Sequence, residues 1–172
     1  MEIRRNRDWK NKVWQIEGKG ETALILSMKE QQLLKSLMQA GNLNPAHCFL
    51  LVNEVGLLNI YFENIPETAY DIAEFTEKPV ALIMPEARNV PEDLLAKKKT
   101  LQAMFMKKNH FNELAMVQQP LIAIVLPKQA KDLKWLQQQD NVLILQDQNI
   151  RFPFRMRTVA HDASGDIKIT DH

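Results

Sequence analysis

The sequence predicts one α/β domain, a twisted mixed β-sheet with flanking helices. Two observations predict this fold class. Short apolar runs rich in strand-forming residues alternate with segments of helical periodicity along the chain, which is typical of α/β layers. Several runs are apolar at consecutive positions, as expected for strands buried on both faces of a sheet. The chain has 172 residues, only 5 glycines and no Ser/Pro-rich linker, so we expect a single domain over residues 1–172.

The expected strands and helices follow from local patterns. The strands are KVWQI (12–16), TALILS (22–27), HCFLLV (47–52), KPVALIMP (78–85), TLQAMFM (100–106), PLIAIVL (120–126), NVLIL (141–145), IRFPFRMRTV (150–159) and GDIKIT (165–170). The helices are KEQQLLKSLMQ (29–39), the segments that begin at NIPE (64–67) and NVPE (89–92), NHFNELAMVQQ (109–119) and KQAKDLKWLQQQ (128–139). NIPE and NVPE each combine an Asn cap, a first-turn Pro and a Glu in capping-box position.

The composition excludes several classes of function. The net charge is +1, so no overall field favours nucleic acid, a membrane surface or an acidic partner. No segment approaches the roughly 18–20 apolar residues of a membrane span, and the basic N-terminus lacks the apolar run of a signal peptide. We therefore expect a cytoplasmic protein. The lone cysteine, Cys48, excludes an internal disulfide and a cysteine-based metal cluster, and we expect it to be buried rather than nucleophilic.

No catalytic or metal-binding motif is recognisable. The histidines lack metal-ligand spacing; they are His47, His110, His161 and His172. HDASGD (161–166) is expected to be a turn between two strands, with Gly165 in the left-handed conformation, rather than a metal loop. The sequence has no P-loop, GxGxxG motif or nucleophile elbow. We therefore assign no catalytic residue, metal site or cofactor.

Basic residues are the candidates for binding. AKKKT (96–100) and KK (107–108) flank one predicted strand, and RFPFRMR (151–157) alternates arginines with aromatic residues and Met. Arginines beside aromatic rings can bind phosphates and stack on bases; the alternative is a half-buried strand with a solvated basic face. A further stripe, at 128, 131 and 134, is expected to be a solvated helix face. The candidate nucleic-acid-binding residues are Lys97, Lys98, Lys99, Lys107, Lys108, Arg151, Arg155 and Arg157.

The order of segments in the middle of the chain resembles the YrdC-like family. CFLLVNEVGLLNIYFENIPETAYDIAEFTEKPVALIMPEARNVPEDLLA is similar to the family's strand, short helix, IPE-AYD-like helix, KP strand ending in Pro, and NVPEDLL-like segment. The resemblance continues through NHFNELAMVQQPLIAIVL and ASGDIKIT, and it covers residues 45–172. Residues 1–44 correspond poorly: TALILS resembles the family's first strand, or KVWQI preserves the segment after that strand. The resemblance implies the YrdC-like fold, whose active members make threonylcarbamoyl-AMP for tRNA modification.

The residues that the resemblance would assign to a nucleotide site are missing. Active members have a Lys-x-Arg that holds the nucleotide phosphates, a following lysine, an arginine on a later strand, a Ser-x-Ser-Ala-Asn signature, and a serine before the last strands. In the same order, these fall on Ala40 and Asn42, Ala46, Met104, residues 123–127 (Ala-Ile-Val-Leu-Pro), and Met156. A shift of the alignment by one or two residues restores none of them.

The resemblance therefore predicts a YrdC-like protein that no longer performs the synthase reaction and that can retain RNA or nucleotide binding. Adenylation needs cations to neutralise the triphosphate as pyrophosphate leaves, and Ala and Asn supply neither charge nor bidentate donors. Two alternatives stay open. One is an active threonylcarbamoyl-AMP synthase with rebuilt ligands. The other is a protein-interaction module or homodimer that uses an apolar former cleft.

Overall fold

A single nine-stranded sheet organises the chain, in the order β7-β1-β2-β6-β3-β5-β4-β8-β9. The computed structural model describes residues 8–126, 134–139, 142–162, 164 and 166–171. Each of the nine predicted runs overlaps one strand, which confirms the α/β class with a mixed sheet. The strands are β1 (Lys12–Glu17), β2 (Thr22–Ser27), β3 (Cys48–Val52), β4 (Val80–Met84), β5 (Leu101–Phe105), β6 (Leu121–Leu126), β7 (Leu143–Leu145), β8 (Arg157–His161) and β9 (Ile167–Asp171).

Parallel and antiparallel pairs alternate irregularly across the sheet. β1 and β7, β3 and β5, and β4 and β8 are parallel, whereas the other neighbouring strands are antiparallel. β2 and β6 pair along their whole length, from Thr22 opposite Leu126 to Ser27 opposite Leu121. β6 lies between β2 and β3 in the interior of the sheet. This position explains why β6 is apolar at every residue.

Five helices flank the sheet in the described residues: α1 (Gln31–Ala40), α2 (Leu58–Tyr61), α3 (Glu67–Phe75), α4 (Lys108–Phe111) and α5 (Lys134–Gln137). α1 buries four residues in one stripe at the predicted helical spacing, Leu33, Leu34, Leu37 and Met38. Of the helix predicted over 128–139, only its last part is described; Lys128 and Lys131 lie outside the described residues. None of the helices in the described ranges is long and apolar enough to cross a membrane.

Neither predicted capping box forms. α3 begins without a side-chain hydrogen bond at its cap, and the Asn64 side chain instead donates to the carboxylate of Glu86 at 3.1 Å. NVPE forms only a short 3-10 turn without a side-chain cap, and the Asn89 side chain donates to the carbonyl of Ile60 at 2.7 Å. In both cases, the Asn bonds a segment that is distant in sequence, so a tertiary contact replaces the local one.

The helix predicted over 109–119 is broken. α4 ends at Phe111, and Asn112 has φ 51°, a left-handed conformation that stops a right-handed helix. A 3-10 turn, Glu113–Met116, follows it. The break turns the chain back so that Phe111 and Leu114 both face the sheet.

The strand predicted over 150–159 begins only at Arg157, where the backbone N–H donates to the carbonyl of Pro79 at 3.0 Å. The preceding residues cross a face of the sheet instead of joining its edge, and Pro153 has no N–H with which to extend a ladder. Although residues 151–156 do not form a strand, buried and exposed side chains alternate as predicted: Phe152 and Met156 are buried, whereas Arg151 and Arg155 are exposed.

The loop between β8 and β9 is the predicted turn. The Asp162 carboxylate accepts hydrogen bonds from the backbone N–H groups of Ser164 and Asp166, at 2.9 and 2.8 Å, and from the Ser164 hydroxyl at 2.7 Å. This carboxylate therefore closes the turn, while Gly165 lies outside the described residues.

Each face of the sheet carries its own apolar cluster. The first cluster, which includes Leu24, Leu50 and Ile122, lies against α1 and α3. Cys48 belongs to it and is fully buried, as predicted. The second cluster, which includes Met104, is on the opposite face, because successive residues of a strand point to opposite sides.

Candidate functional site

The second face of the sheet is a closed apolar surface. Four strands contribute buried side chains to this face: Ile25 from β2, Leu51 from β3, Met104 from β5 and Ala123 from β6. Each of these side chains is at most 1% exposed. Three segments cover these side chains: the chain around Trp9, residues 111–117 and residues 150–156. This face is therefore filled by the chain's own apolar residues.

Phe152 lies at the centre of this cover. Its ring meets those of Phe49, Phe111 and Phe154 edge-on, with centroid separations of 6.1, 6.0 and 5.2 Å. Phe154 in turn lies against Gly18 in the turn between β1 and β2, where an added Cβ would be 2.6 Å from the ring. The covering segment is thus packed against both the sheet and the β1–β2 hairpin.

The fold brings four of the eight candidate basic residues, Lys107, Lys108, Arg151 and Arg157, to one end of the sheet. Two of them directly follow β5. Residue 151 donates its backbone N–H to the carbonyl of Phe111 at 3.4 Å, which places it at the end of α4. Residue 157 begins β8 beside the start of β4. We group these four with Arg155, which lies in the segment between residues 151 and 157, as the C-terminal basic cluster; it consists of Lys107, Lys108, Arg151, Arg155 and Arg157.

Two members of the C-terminal basic cluster already have structural partners. Lys107 Nζ donates to the carbonyls of Glu74, at 3.1 Å, and Thr76, so its charge stabilises the C-terminal end of α3. Arg157 Nε donates to the Asp171 carboxylate at 2.6 Å, and this hydrogen bond raises the pKa of Arg157. The other three members, Lys108, Arg151 and Arg155, are exposed.

The remaining candidates lie at the opposite end of β5. Lys97, Lys98 and Lys99 form a 3-10 turn just before this strand, about 20 Å from the other group at roughly 3.3 Å per residue. The turn lies beside Arg88, which the sequence reasoning missed. The sequence could have indicated this position, because Arg88 follows β4, and β4 is the antiparallel partner of β5.

Burial shifts the pKa values of two titratable groups, those of His161 and Cys48. His161 is 4% exposed, and neither ring nitrogen makes a hydrogen bond of normal geometry in the described structure. Burial lowers the pKa of His161, outweighing the opposite effect of the Val159 backbone. Burial also raises the pKa of the Cys48 thiol to about 12, so this thiol stays protonated and unreactive. Within the described residues, no group of three His, Cys, Asp or Glu side chains could hold a metal ion.

Comparison with known proteins identifies the architecture. The sequence matches no protein-family model and no curated protein. The structure resembles a crystal structure of P. abyssi Sua5 complexed with L-threonine, with a TM-score of 0.64, 13% identity, and coverage of 92% of this chain and 50% of that one. It also resembles E. coli YciO, with a TM-score of 0.62, 14% identity, and coverage of 93% and 82%. A third match is the MTH1692 protein from Methanobacterium thermoautotrophicum, with a TM-score of 0.60, 11% identity, and coverage of 94% and 80%. The chain has the YrdC-like fold.

This chain spans about half the length of the Sua5 protein that it matches. Within its YrdC-like fold, several positions that the sequence resemblance assigned to a nucleotide site come together on one face. Met104, Ala123 and Met156 belong to the second cluster, and Val125 packs against it. Ala123 and Val125, which the sequence resemblance aligned with the two serines of the family signature, share a face of β6. Pro127, at the end of that signature, lies outside the described residues.

The positions that match the family's phosphate-holding residues lie between α1 and β3. Ala40 ends α1, Asn42 has a left-handed φ of 47°, and Ala46 lies in a 3-10 turn. The Gln102 side chain donates to the carbonyl of Ala46 at 2.5 Å, which ties this turn to β5 on the face that also carries Met104. None of these three positions supplies a cation to that face.

Proposed function

We propose that this chain is a YrdC-like protein without synthase activity. One observation carries the proposal: the positions matching the family's polar and cationic ligands are occupied by Met104, Ala123, Val125 and Met156, and these pack in the same apolar cluster as Phe152. A nucleotide phosphate there would lose its water and gain neither a cation nor a donor, which is strongly unfavourable.

The alternative of an active enzyme with rebuilt ligands finds no support on this face. Stabilising the departing pyrophosphate requires cations aimed at the phosphates. The nearest exposed cations of the C-terminal basic cluster are Lys108, Arg151 and Arg155, outside the covered cluster. Bringing a nucleotide to Met104 would first require removal of Phe152 and its segment.

Pyrophosphate release tests this part of the proposal. The protein is incubated with ATP, bicarbonate, threonine and Mg²⁺, and a synthase of the YrdC-like family is run in parallel as the positive control. We expect no release above that of a heat-treated sample. Release that requires ATP, bicarbonate and threonine together would refute the proposal and establish the rebuilt-ligand alternative.

The second part of the proposal is RNA binding through the C-terminal basic cluster. The observation that favours it is that two segments distant in sequence, residues 107–108 and residues 151–157, come together at one end of the sheet. Of these, Lys108, Arg151 and Arg155 are exposed and can approach phosphates. Because such binding releases counterions, it should weaken steeply as salt rises.

Fluorescence anisotropy with tRNA and double-stranded RNA tests this binding. A variant with Lys108→Gln, Arg151→Gln and Arg155→Gln should reduce the slope of log K against log salt by about 2–3, since each lost phosphate contact removes about 0.7–0.9. The matched control neutralises three exposed lysines elsewhere, Lys19, Lys29 and Lys35. Equal effects of the two variants, or wild-type binding that does not respond to salt, would refute a specific role for this cluster.

The protein-interaction alternative required an open apolar cleft, and residues 150–156 cover that face. We therefore expect light scattering to give a mass near 19.9 kDa that does not change with concentration. A mass that rises with concentration would favour the interaction module instead.

A further inference from the structure

A pocket of about 450 Å³ opens at the end of the β4–β5 hairpin, at the opposite end of β5 from the C-terminal basic cluster. We call it the hairpin pocket. Its walls are backbone segments held by hydrogen bonds: Glu86 N–H donates to the Lys98 carbonyl at 3.2 Å, and Ala87 N–H donates to the Lys99 carbonyl at 2.9 Å. Arg88 N–H donates to the carbonyl of Tyr61 at 2.7 Å. These bonds fix the pocket's shape before any ligand arrives.

Two consecutive lysines of the pocket have left-handed backbone conformations. Lys98 has φ 60° and Lys99 has φ 53°, and Glu86 on the facing segment has φ 60°. A left-handed conformation is unfavourable for a residue with a side chain, and Gly or Asn adopts it at lower cost. Such positions are concentrated at functional sites, where the surrounding structure maintains the strain. Here two of the strained positions are lysines, and both residues line the pocket.

A third cation is held in position beside these lysines. Arg88 Nη2 donates to the carbonyl of Asn59 at 2.8 Å. This bond orients the guanidinium and uses one of its five N–H donors. Within the described residues, no ion pair joins Arg88, Lys98 or Lys99 to a carboxylate. In this part of the structure, none of the three cations is therefore neutralised by a direct ion pair.

Two carboxylates also line the hairpin pocket, those of Glu63 and Glu86. The Glu86 carboxylate accepts a hydrogen bond from the Asn64 side chain at 3.1 Å, which holds it on the wall formed by residues 63–64. The three cations exceed the two carboxylates by one charge. The lining of the hairpin pocket therefore carries a net charge of +1.

We propose that the hairpin pocket binds a phosphate group through Arg88, Lys98 and Lys99. The guanidinium supplies a planar pair of donors that matches phosphate oxygens, and the two ammonium groups supply compact charge. The phosphate can be inorganic or the terminal phosphate of an RNA. If the ligand is an RNA end, this site rests on the proposed RNA binding and adds a separate anchor for that end. If the ligand is inorganic phosphate, the site does not depend on RNA binding.

Amide chemical shifts in a titration with inorganic phosphate test the site, with chloride added to the reference sample at equal ionic strength. We expect saturable shifts at residues 86–88 and 98–99. Absence of shifts at these amides, or equal shifts with chloride, overturns the proposal.

The decisive variant is Lys98→Asn with Lys99→Asn, because Asn tolerates the left-handed conformation and removes only the charge. We expect phosphate to bind at least tenfold more weakly to it, with a melting temperature equal to or above that of the wild type. The matched control is Lys97→Asn in the same turn, whose side chain does not line the pocket, and its affinity should stay within twofold. Equal affinities of the double variant and the wild type, or equal losses in the two variants, overturn the proposal.

Two further experiments identify the source of the phosphate group and test that the ligand is negatively charged. Single-stranded RNA with a 5′-phosphate and the same RNA with a 5′-hydroxyl separate an RNA end from free phosphate: tighter binding of the first, lost in the double variant, assigns the RNA end. Equal binding of both RNAs, with phosphate shifts retained, assigns free phosphate.

Glu63→Gln should raise phosphate affinity because it removes a negative charge from the pocket, and a decrease would overturn the assignment. Variants of Lys108, Arg151 and Arg155 should leave these phosphate shifts unchanged. A loss of phosphate binding at the hairpin pocket can therefore be distinguished from a loss of RNA binding at the C-terminal basic cluster.

Discussion

Replacement of Phe152 by alanine should lower the free energy of unfolding by about 3–5 kcal/mol, the range for a buried aromatic ring. Phe152 is 6% exposed, and its ring meets Phe49, Phe111 and Phe154 at centroid distances of 6.1, 6.0 and 5.2 Å. Truncation removes the ring from all three contacts at once. It also leaves a cavity between the sheet and the covering segment, which cannot collapse fully because Phe154 remains against Gly18. In a protein of this size, the melting temperature should fall by roughly 6–20 °C, since 1 kcal/mol corresponds to about 2–4 °C.

Thermal melts and urea unfolding, followed by tryptophan fluorescence, measure this loss. The matched control is Phe75→Ala, the same chemical change at a side chain that is 73% exposed, and it should stay within about 0.5 kcal/mol of the wild type. A Phe152→Ala cost below about 1 kcal/mol, or a cost equal to that of Phe75→Ala, would refute the reasoning. It would mean that residues 150–156 do not cover the sheet in solution.

Three further predictions concern stability. Gly18→Ala should cost about 1–3 kcal/mol by overpacking, because the new Cβ would lie 2.6 Å from the Phe154 ring; Gly56→Ala, which meets nothing within 4 Å, is the control, and equal melting temperatures would contradict the packing. Lys107→Ala should cost about 1 kcal/mol because the carbonyls at the end of α3 lose a charged donor, whereas Lys108→Ala at an exposed position should not change the melt. Burial lowers the pKa of His161, so the unfolded chain takes up this proton first and stability should fall as the pH drops below about 6.5. Denaturation at several pH values should show a shallower fall for His161→Leu, and identical slopes would show that His161 is not buried in the neutral form.

The strands were predictable because each is a local pattern, whereas their order was not. KVWQI and TALILS can be recognised within a few residues, but the placement of β6 between β2 and β3 depends on contacts between segments roughly 70 to 100 residues apart. Local signals also failed where a tertiary partner competed for the same group. The amides of Asn64 and Asn89 bond Glu86 and Ile60 rather than capping a helix, and no local pattern indicates such partners.

The sequence predicted the apolar character of the positions on this face but not the residues that cover them. Alignment to a family pattern led to Met104, Ala123, Val125 and Met156, which are brought together by the alternation of side chains along β5 and β6. The aromatic cover was missed because RFPFRMR has the period of a strand, and Phe152 was interpreted as one face of that strand. The hairpin pocket was missed because it depends on left-handed conformations at Lys98 and Lys99, positions where the sequence carries no Gly or Asn to indicate them.

The packing of the second face also makes the proposed loss of the synthase site difficult to reverse one residue at a time. A serine at Ala123 would bury a hydroxyl among apolar side chains and cost about 1–3 kcal/mol unless it found a partner. A lysine or arginine at Met104, which is 1% exposed, would bury an unpaired charge at still greater cost. A nucleotide could satisfy such groups only after Phe152 had left the sheet, which itself costs about 3–5 kcal/mol. Against a total stability of about 5–15 kcal/mol for a domain, each step towards a polar cleft would lower stability before any ligand could bind. The apolar cluster is therefore a stable arrangement of this face of the sheet, which each single substitution towards a polar cleft would weaken.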